Sequence, residues 1–138
     1  HMDCLSQRSR EKSARLLAER IANRKTDDPF FVMGDFNMKL NNSAMRYLEK
    51  TTPRMVDAWR SLNPNGGNGI GTRIDHIPLG EGFEALDVVV DTRKVDGRHP
   101  SDHYPVIASL RMPSAGTAVA SETSETEASR EAELETAG

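Results

Sequence analysis

One cysteine, Cys4, stands among 138 residues, so an intrachain disulfide and a cysteine-built zinc site are both excluded. No apolar run approaches the ~20 residues that a helix needs to cross a bilayer, and no segment reads as a secretory leader. Histidine is scarce as well. His1, His76, His99 and His103 lack the short spacings of a zinc motif, which leaves oxygen ligands and a hard cation as the better match for any metal site. An excess of positive charge is also missing. The formal net charge is −3, unevenly divided: residues 113–138 carry six Glu against one Arg, a net −5, whereas residues 1–112 carry 17 Lys plus Arg against 15 Asp plus Glu, a net +2. Such a near-neutral segment does not have the basic footprint of a protein that holds long nucleic acid through its phosphates, so charge disfavours nucleic acid and leaves small phosphate esters open.

What is present suffices for one compact domain, with 36% hydrophobic residues. The chain is organised around Phe30-Phe31-Val32-Met33-Gly34-Asp35-Phe36-Asn37. Four consecutive apolar residues, bounded by Asp27-Asp28-Pro29 and by Gly34, predict a short strand buried on both faces. A carboxylate, Asp35, emerges where that strand ends, and Asn37 adds an amide donor. By itself Gly-Asp-Phe-Asn equally describes an Asx-type turn. Upstream, Ala14, Leu17, Ala18 and Ile21 recur at helical spacing within residues 7–24 and predict an amphipathic helix over a sheet, its basic residues forming a solvated face. Downstream, Asn41-Asn42-Ser43 caps a predicted helix over 43–50 with Met45 and Leu48 inward, and Pro53 closes it. Trp59 is expected as a packing anchor, followed by a flexible Gly/Asn loop over 63–71. Strands are expected at 74–79, where Pro78 argues for an edge or an early end, and at 85–90 and 106–110. His76 reads as structural or surface-lying and His99 as exposed. From Met112 onward Ser, Thr, Ala and Glu dominate without large apolar content, which predicts a disordered acidic tail over 113–138.

Two further stretches carry polar groups at strand ends. Arg73-Ile74-Asp75-His76-Ile77 sets Asp75 between apolar neighbours, and Ser101-Asp102-His103-Tyr104-Pro105-Val106 sets an acid and an imidazole before an apolar run. In order, with 40 residues from Asp35 to Asp75 and 27 from Asp75 to Asp102, these motifs closely resemble those of the endonuclease/exonuclease/phosphatase (deoxyribonuclease I-like) superfamily. The paired Gly-Asp and Gly-Asn-His elements of calcineurin-like metallophosphoesterases are missing. His1-Met2 is a pair that an expression tag leaves behind. It also falls in register with a His-x-Asp-x-x-Ser pattern followed by Ser-Arg that many bacterial superfamily members carry, here His1 to Ser6 and then Ser9-Arg10.

The resemblance implies an α/β fold, the C-terminal half of a four-layer α/β/β/α sandwich, with residues 1–112 as a partial domain. It implies a metal-dependent hydrolase of phosphate esters, either diesters or monoesters, using Mg2+ or Mn2+. Asp35 and Asp102 would contact the metal, Asn37 would donate to the phosphate, and His103, oriented by Asp75, would serve as general base or transition-state donor; His1 would match a second catalytic histidine. Asp35 and His103 remain alternatives for the base. The Asn and Glu that the family's first half contributes have no counterpart here, so the expected object is a fragment, weak or inactive alone, with an exposed sheet face prone to self-association. The alternative is a non-catalytic remnant or interaction module of the same fold.

Overall fold

The computed structural model describes residues 1–112 apart from Pro53 and Ile70; the predicted tail and the helix-closing role of Pro53 lie outside the described residues. Helix α1 spans Gln7–Ala22, capped by Ser6, whose Oγ accepts from Ser9 N at 3.1 Å. That bond satisfies one of the amide donors that a helix start leaves free. Helix α2, Ser43–Thr51, is capped in the same way by Asn42, which accepts from Ala44 N at 2.9 Å. The α2 cap is tied to the first turn of α1, and the start of α2 to its second. Gln7 Nε2 donates to Asn42 Oδ1 at 3.1 Å, Asn42 Nδ2 returns a bond to Gln7 Oε1 at 2.9 Å, and Ser43 Oγ donates to Glu11 Oε1 at 2.9 Å.

Beneath this polar seam lies the larger core. Ala14 and Ile21 of α1 meet Ala44, Met45 and Leu48 of α2 around Phe36, Met38 and Leu40. A second core joins Ala58, Leu79, Ala85 and Val88, with Val106, Ala108 and Leu110 packed against it. Trp59 packs against both, the anchoring role expected of it. It sits on a short helix, α3, Ala58–Leu62, which the sequence reading did not foresee.

The strands are short and antiparallel. β1 (Gly34–Asp35) pairs with β3 (Asp75–His76), β2 (Val56–Asp57) with β4 (Pro78–Leu79), and β5 (Glu84–Val90) with β6 (Val106–Arg111). The segment from Ile74 to Gly80 is therefore flanked on both sides. Toward β1 it accepts from Phe36 N at 3.0 Å through Ile74 O and from Val32 N at 2.8 Å through Pro78 O; Gly80 N donates to Phe30 O at 2.9 Å. Toward β2 it accepts from Ala58 N at 3.0 Å through Ile77 O. Pro78 interrupts this ladder, since its nitrogen has no hydrogen to donate; of the two alternatives expected of it, an edge or an early end, the segment is no edge, but the 74–79 strand is broken into β3 and β4. Gly80 makes the close approach possible, because a Cβ there would lie 2.5 Å from the Phe30 ring.

The Phe30–Met33 run is not buried on both faces. Phe31 is 46% exposed and Met33 71% exposed, whereas Phe30 and Val32 turn toward the α1/α2 core. Side chains alternate along an extended segment, and among the described residues no helix or strand covers the Phe31/Met33 side. Val89 and Ile107, cross-strand partners on β5 and β6, are likewise exposed. His99 is half-buried rather than exposed, its ring edge-on to Tyr104 with centroids 5.0 Å apart.

Leu48 is fully buried at the α1/α2 contact. Leu48→Ala should lower the unfolding free energy by about 2–5 kcal/mol, measured by urea denaturation with the midpoint shifted and the slope kept.

Candidate active site

β1 delivers the first polar group. Gly34 holds φ at 148°, a conformation that side-chain-bearing residues rarely adopt, and the chain then turns at Asp35. The Asp35 Oδ1 accepts from Asn37 N at 2.7 Å and its Oδ2 from Asn37 Nδ2 at 3.0 Å. This is an Asx turn, with Asn37 in the left-handed region at φ 49°. The Asx-turn reading of Gly-Asp-Phe-Asn therefore holds, and the turn brings the Asp35 carboxylate and the Asn37 amide side by side. Asn37 Nδ2 also donates to Met2 O at 2.9 Å and lies 3.3 Å from His1 Nε2.

Asp75 stands directly opposite Asp35 in the β1/β3 register. His103 arrives from the loop before β6, where its backbone N–H donates to Ser101 Oγ at 3.1 Å. Its Nδ1 is 2.7 Å from Asp75 Oδ2. That contact fixes the ring and leaves Nε2 for other chemistry. The hydrogen bond that His103 donates to Asp75, reinforced by the carboxylate's charge, raises the His103 pKa above the ordinary value.

Ligating atoms of Asp35, Asp75 and His103 all lie within 4.8 Å of one another. His1 Nε2 adds a further nitrogen 3.3 Å from Asp35 Oδ2, on a side chain 70% exposed. Asp102 is placed differently. It lines a cleft of about 150 Å³ together with Asp75, His103 and Tyr104, but it is exposed, takes a bond from Ser101 Oγ at 3.3 Å, and stands outside the three-residue group. Five of the six residues singled out in the sequence thus form one connected cluster at the β1/β3 end, with Asp102 at its rim. Two carboxylates and an imidazole at such separations can hold a hard divalent cation.

Behind the cluster lies a buried polar network that the sequence reading missed. Asp57, the N-cap of α3, accepts through Oδ1 from Trp59 N at 3.1 Å and from the Arg73 guanidinium at 2.9 Å, and through Oδ2 from Ile77 N at 3.2 Å. His76 is also buried; its Nε2 donates to Met38 O at 2.7 Å, while its Nδ1 faces Asp57 Oδ2 at 3.5 Å, too long for a good hydrogen bond. Burial pushes the Asp57 carboxyl up, but the neighbouring His76 ring and the bonded Arg73 guanidinium outweigh it and hold the group well below the usual carboxylate range. The available signal was Asp57-Ala58-Trp59 and Arg73-Ile74-Asp75, whose polar members sit among apolar neighbours.

A sequence model described as the Endonuclease/Exonuclease/phosphatase family matches residues 1–103. No curated protein matches. Solved structures similar to the chain include a functionally unknown conserved protein from Enterococcus faecalis, at 22% identity and TM-score 0.67 over 81% of this chain and 48% of that one. A mannosyl-6-phosphatase from Bacteroides thetaiotaomicron aligns at 25% identity and TM-score 0.61, over 81% and 49%. An endonuclease/exonuclease/phosphatase from Bacteroides vulgatus aligns at 22% and TM-score 0.67, over 81% and 47%. The chain spans about half the length of these relatives.

Asp75→Asn should lower the His103 titration midpoint toward its ordinary value of about 6.5, read by proton NMR without added metal. Because the folded-state pKa is raised, the stability this pair contributes is complete below the unfolded value and is lost as pH rises through the folded one. A midpoint unchanged in Asp75→Asn would show that the pairing does not hold in solution.

Proposed function

The chain belongs to the endonuclease/exonuclease/phosphatase family, and from that premise we propose that it carries part of the active site of a metal-dependent phosphate-ester hydrolase. The observation that carries this reading is the convergence of Asp35, Asp75 and His103, with the Asn37 amide bonded to Asp35. In this reading Asp35, with Asp102 and Asp75 nearby, holds Mg2+ or Mn2+. The ion supplies neutralisation of phosphoryl charge and helps to activate water.

The chain's own groups do the rest. Asn37 Nδ2, which now donates to Asp35 Oδ2 and Met2 O, would exchange one of those bonds for a phosphoryl oxygen. His103, its Nδ1 committed to Asp75, offers Nε2 to take or give a proton, and the Asp75 carboxylate shifts its pKa upward. Asp35 is the competing base. His1, beside Asp35 and Asn37, is a second donor to the same substrate group. The near-neutral charge of residues 1–112 favours a small ester over long nucleic acid, and the likeness to a mannosyl-6-phosphatase makes sugar phosphates a substrate class to assay.

Metal binding should be weak. The three-residue group brings two carboxylates, whereas Mg2+ prefers about six oxygens in tight octahedral geometry. A chain spanning about half of its relatives is expected to turn over slowly. With a generic phosphomonoester and phosphodiester and added Mg2+ or Mn2+, slow hydrolysis abolished by a chelator is the expected result, lowered about a hundredfold or more in His103→Ala and strongly in Asp102→Ala. Turnover insensitive to both substitutions would sink the assignment.

A second reading, an interaction module without turnover, is favoured by the exposure of Phe31, Met33, Val89 and Ile107. It expects concentration-dependent self-association by sedimentation, relieved in Met33→Lys, with no hydrolysis under any metal.

A further inference from the structure

Asp35 and Asp75 pose a physical problem for the fold. They are direct cross-strand partners, and like charges so placed repel each other. The β1/β3 ladder that joins them is two residues long on each strand; backbone bonds from Phe36 to Ile74, from Val32 to Pro78 and from Gly80 to Phe30 extend the pairing, but main-chain bonds do not by themselves set the separation and aim of two like-charged side chains.

The buried network supplies the missing restraint, and its connections are distributed accordingly. Arg73 donates from one nitrogen to Asp57 Oδ1 at 2.9 Å, from a second to Asp75 O at 2.9 Å and from a third to Asn68 O at 3.0 Å. The Asn68 side chain in turn donates to Arg73 O at 2.6 Å and accepts from Leu40 N at 3.0 Å. His76 bonds Met38 O at 2.7 Å. The residues on either side of Asp75 are thus tied, through Met38 and Leu40, to the segment that follows Asp35 and Asn37. Asp57 ties the same strand to α3 through Ile77 N and Trp59 N. The Arg73 and Asp57 side chains are 3% and 0% exposed and that of His76 0%, so their polar atoms are turned to one another and to the main chain rather than to solvent.

A buried ion pair is a poor source of net stability compared with apolar packing of the same volume. Its directional bonds do specify geometry, and a planar guanidinium with three partners at fixed angles cannot be replaced by a flexible ammonium. We propose that Asp57, Arg73 and His76 are positioning residues that set the separation and aim of the Asp35 and Asp75 carboxylates, and through Asp75 the orientation of His103. This deepens the hydrolase reading and rests on it for the catalytic consequence; the geometric consequence stands without it.

The test compares Arg73→Lys, Asp57→Asn, His76→Leu and His76→Gln in the full 138-residue chain. The first readout is the imidazole N–H proton resonance of His103, whose Nδ1 is hydrogen-bonded to Asp75. It should shift strongly or vanish in Arg73→Lys, Asp57→Asn and His76→Leu while the amide spectra of α1, α2, β5 and β6 keep their folded pattern. His76→Gln, whose amide can still donate to Met38 O, should retain it. The second readout is steady-state hydrolysis, where displacement of about 1 Å should lower kcat by roughly a hundredfold with KM changed little. If Asp57→Asn fails to fold, Arg73→Lys and the two His76 variants decide the matter. Folded variants with the His103 resonance unchanged overturn the proposal, as does a loss in His76→Gln equal to that in His76→Leu. Absence of turnover in the unsubstituted chain would overturn the hydrolase reading, and the resonance measurement would still decide the positioning.

Discussion

Two carboxylates facing each other across an antiparallel pair are the constraint on which the rest of this structure depends. Asp35 and Asp75 occupy opposed positions at the β1/β3 junction, where under the proposed reading a cation would neutralise them, and where a fold left to its own stability would place an opposite-charge or apolar pair. The surrounding polar groups answer that demand from two directions. In front, Asn37 and His103 each donate to one of the two acids. Behind, the buried bonds of Arg73 and His76 hold the strands that carry them.

The apolar architecture is arranged so that neither core has to supply that precision. The α1/α2 core packs against the inner side of the Phe30–Leu40 segment, and the second core packs β5 and β6 against α3. Trp59 belongs to both. Asp57 lies at the same junction, one residue before α3, so a single short segment provides the apolar link between the cores and the polar link to Asp75. His103 is delivered from outside this framework, on the loop before β6. Its bond to Asp75 closes a circuit between β3 and that loop.

Much of the candidate site was legible because its determinants are local. Gly34, Asp35 and Asn37 form a turn whose bonds span two residues, and a turn of that kind is written in consecutive side chains. Helices α1 and α2 were legible for the same reason, since their caps and apolar spacing lie within the segments themselves. The facing of Phe30–Met33 was not, because four apolar residues in a row give no alternation from which to tell a covered side from an open one. Nor was the centrality of Pro78: its lack of a donor argues for an edge unless both flanking segments are known.

What the sequence by itself determined is the inventory and its local geometry: strand-end acids at Asp35, Asp75 and Asp102, an imidazole at His103, two capped helices, and family membership through three ordered motifs. Only the tertiary structure decided which of these groups meet. Asp75 and His103 are separated by 28 positions and Asp35 and Asp75 by 40, and such separations carry no distance until strands pair. The structure alone set Asp102 at the rim rather than within the close group. It also turned Asp57 into the buried partner of Arg73 and His76 into a buried neighbour of Asp57 bonded to Met38 O. The physical reason is common to all of these outcomes: a short-range bond inside one segment depends on residues that are neighbours in the chain, whereas charge clustering and burial depend on neighbours that exist only after the chain has folded.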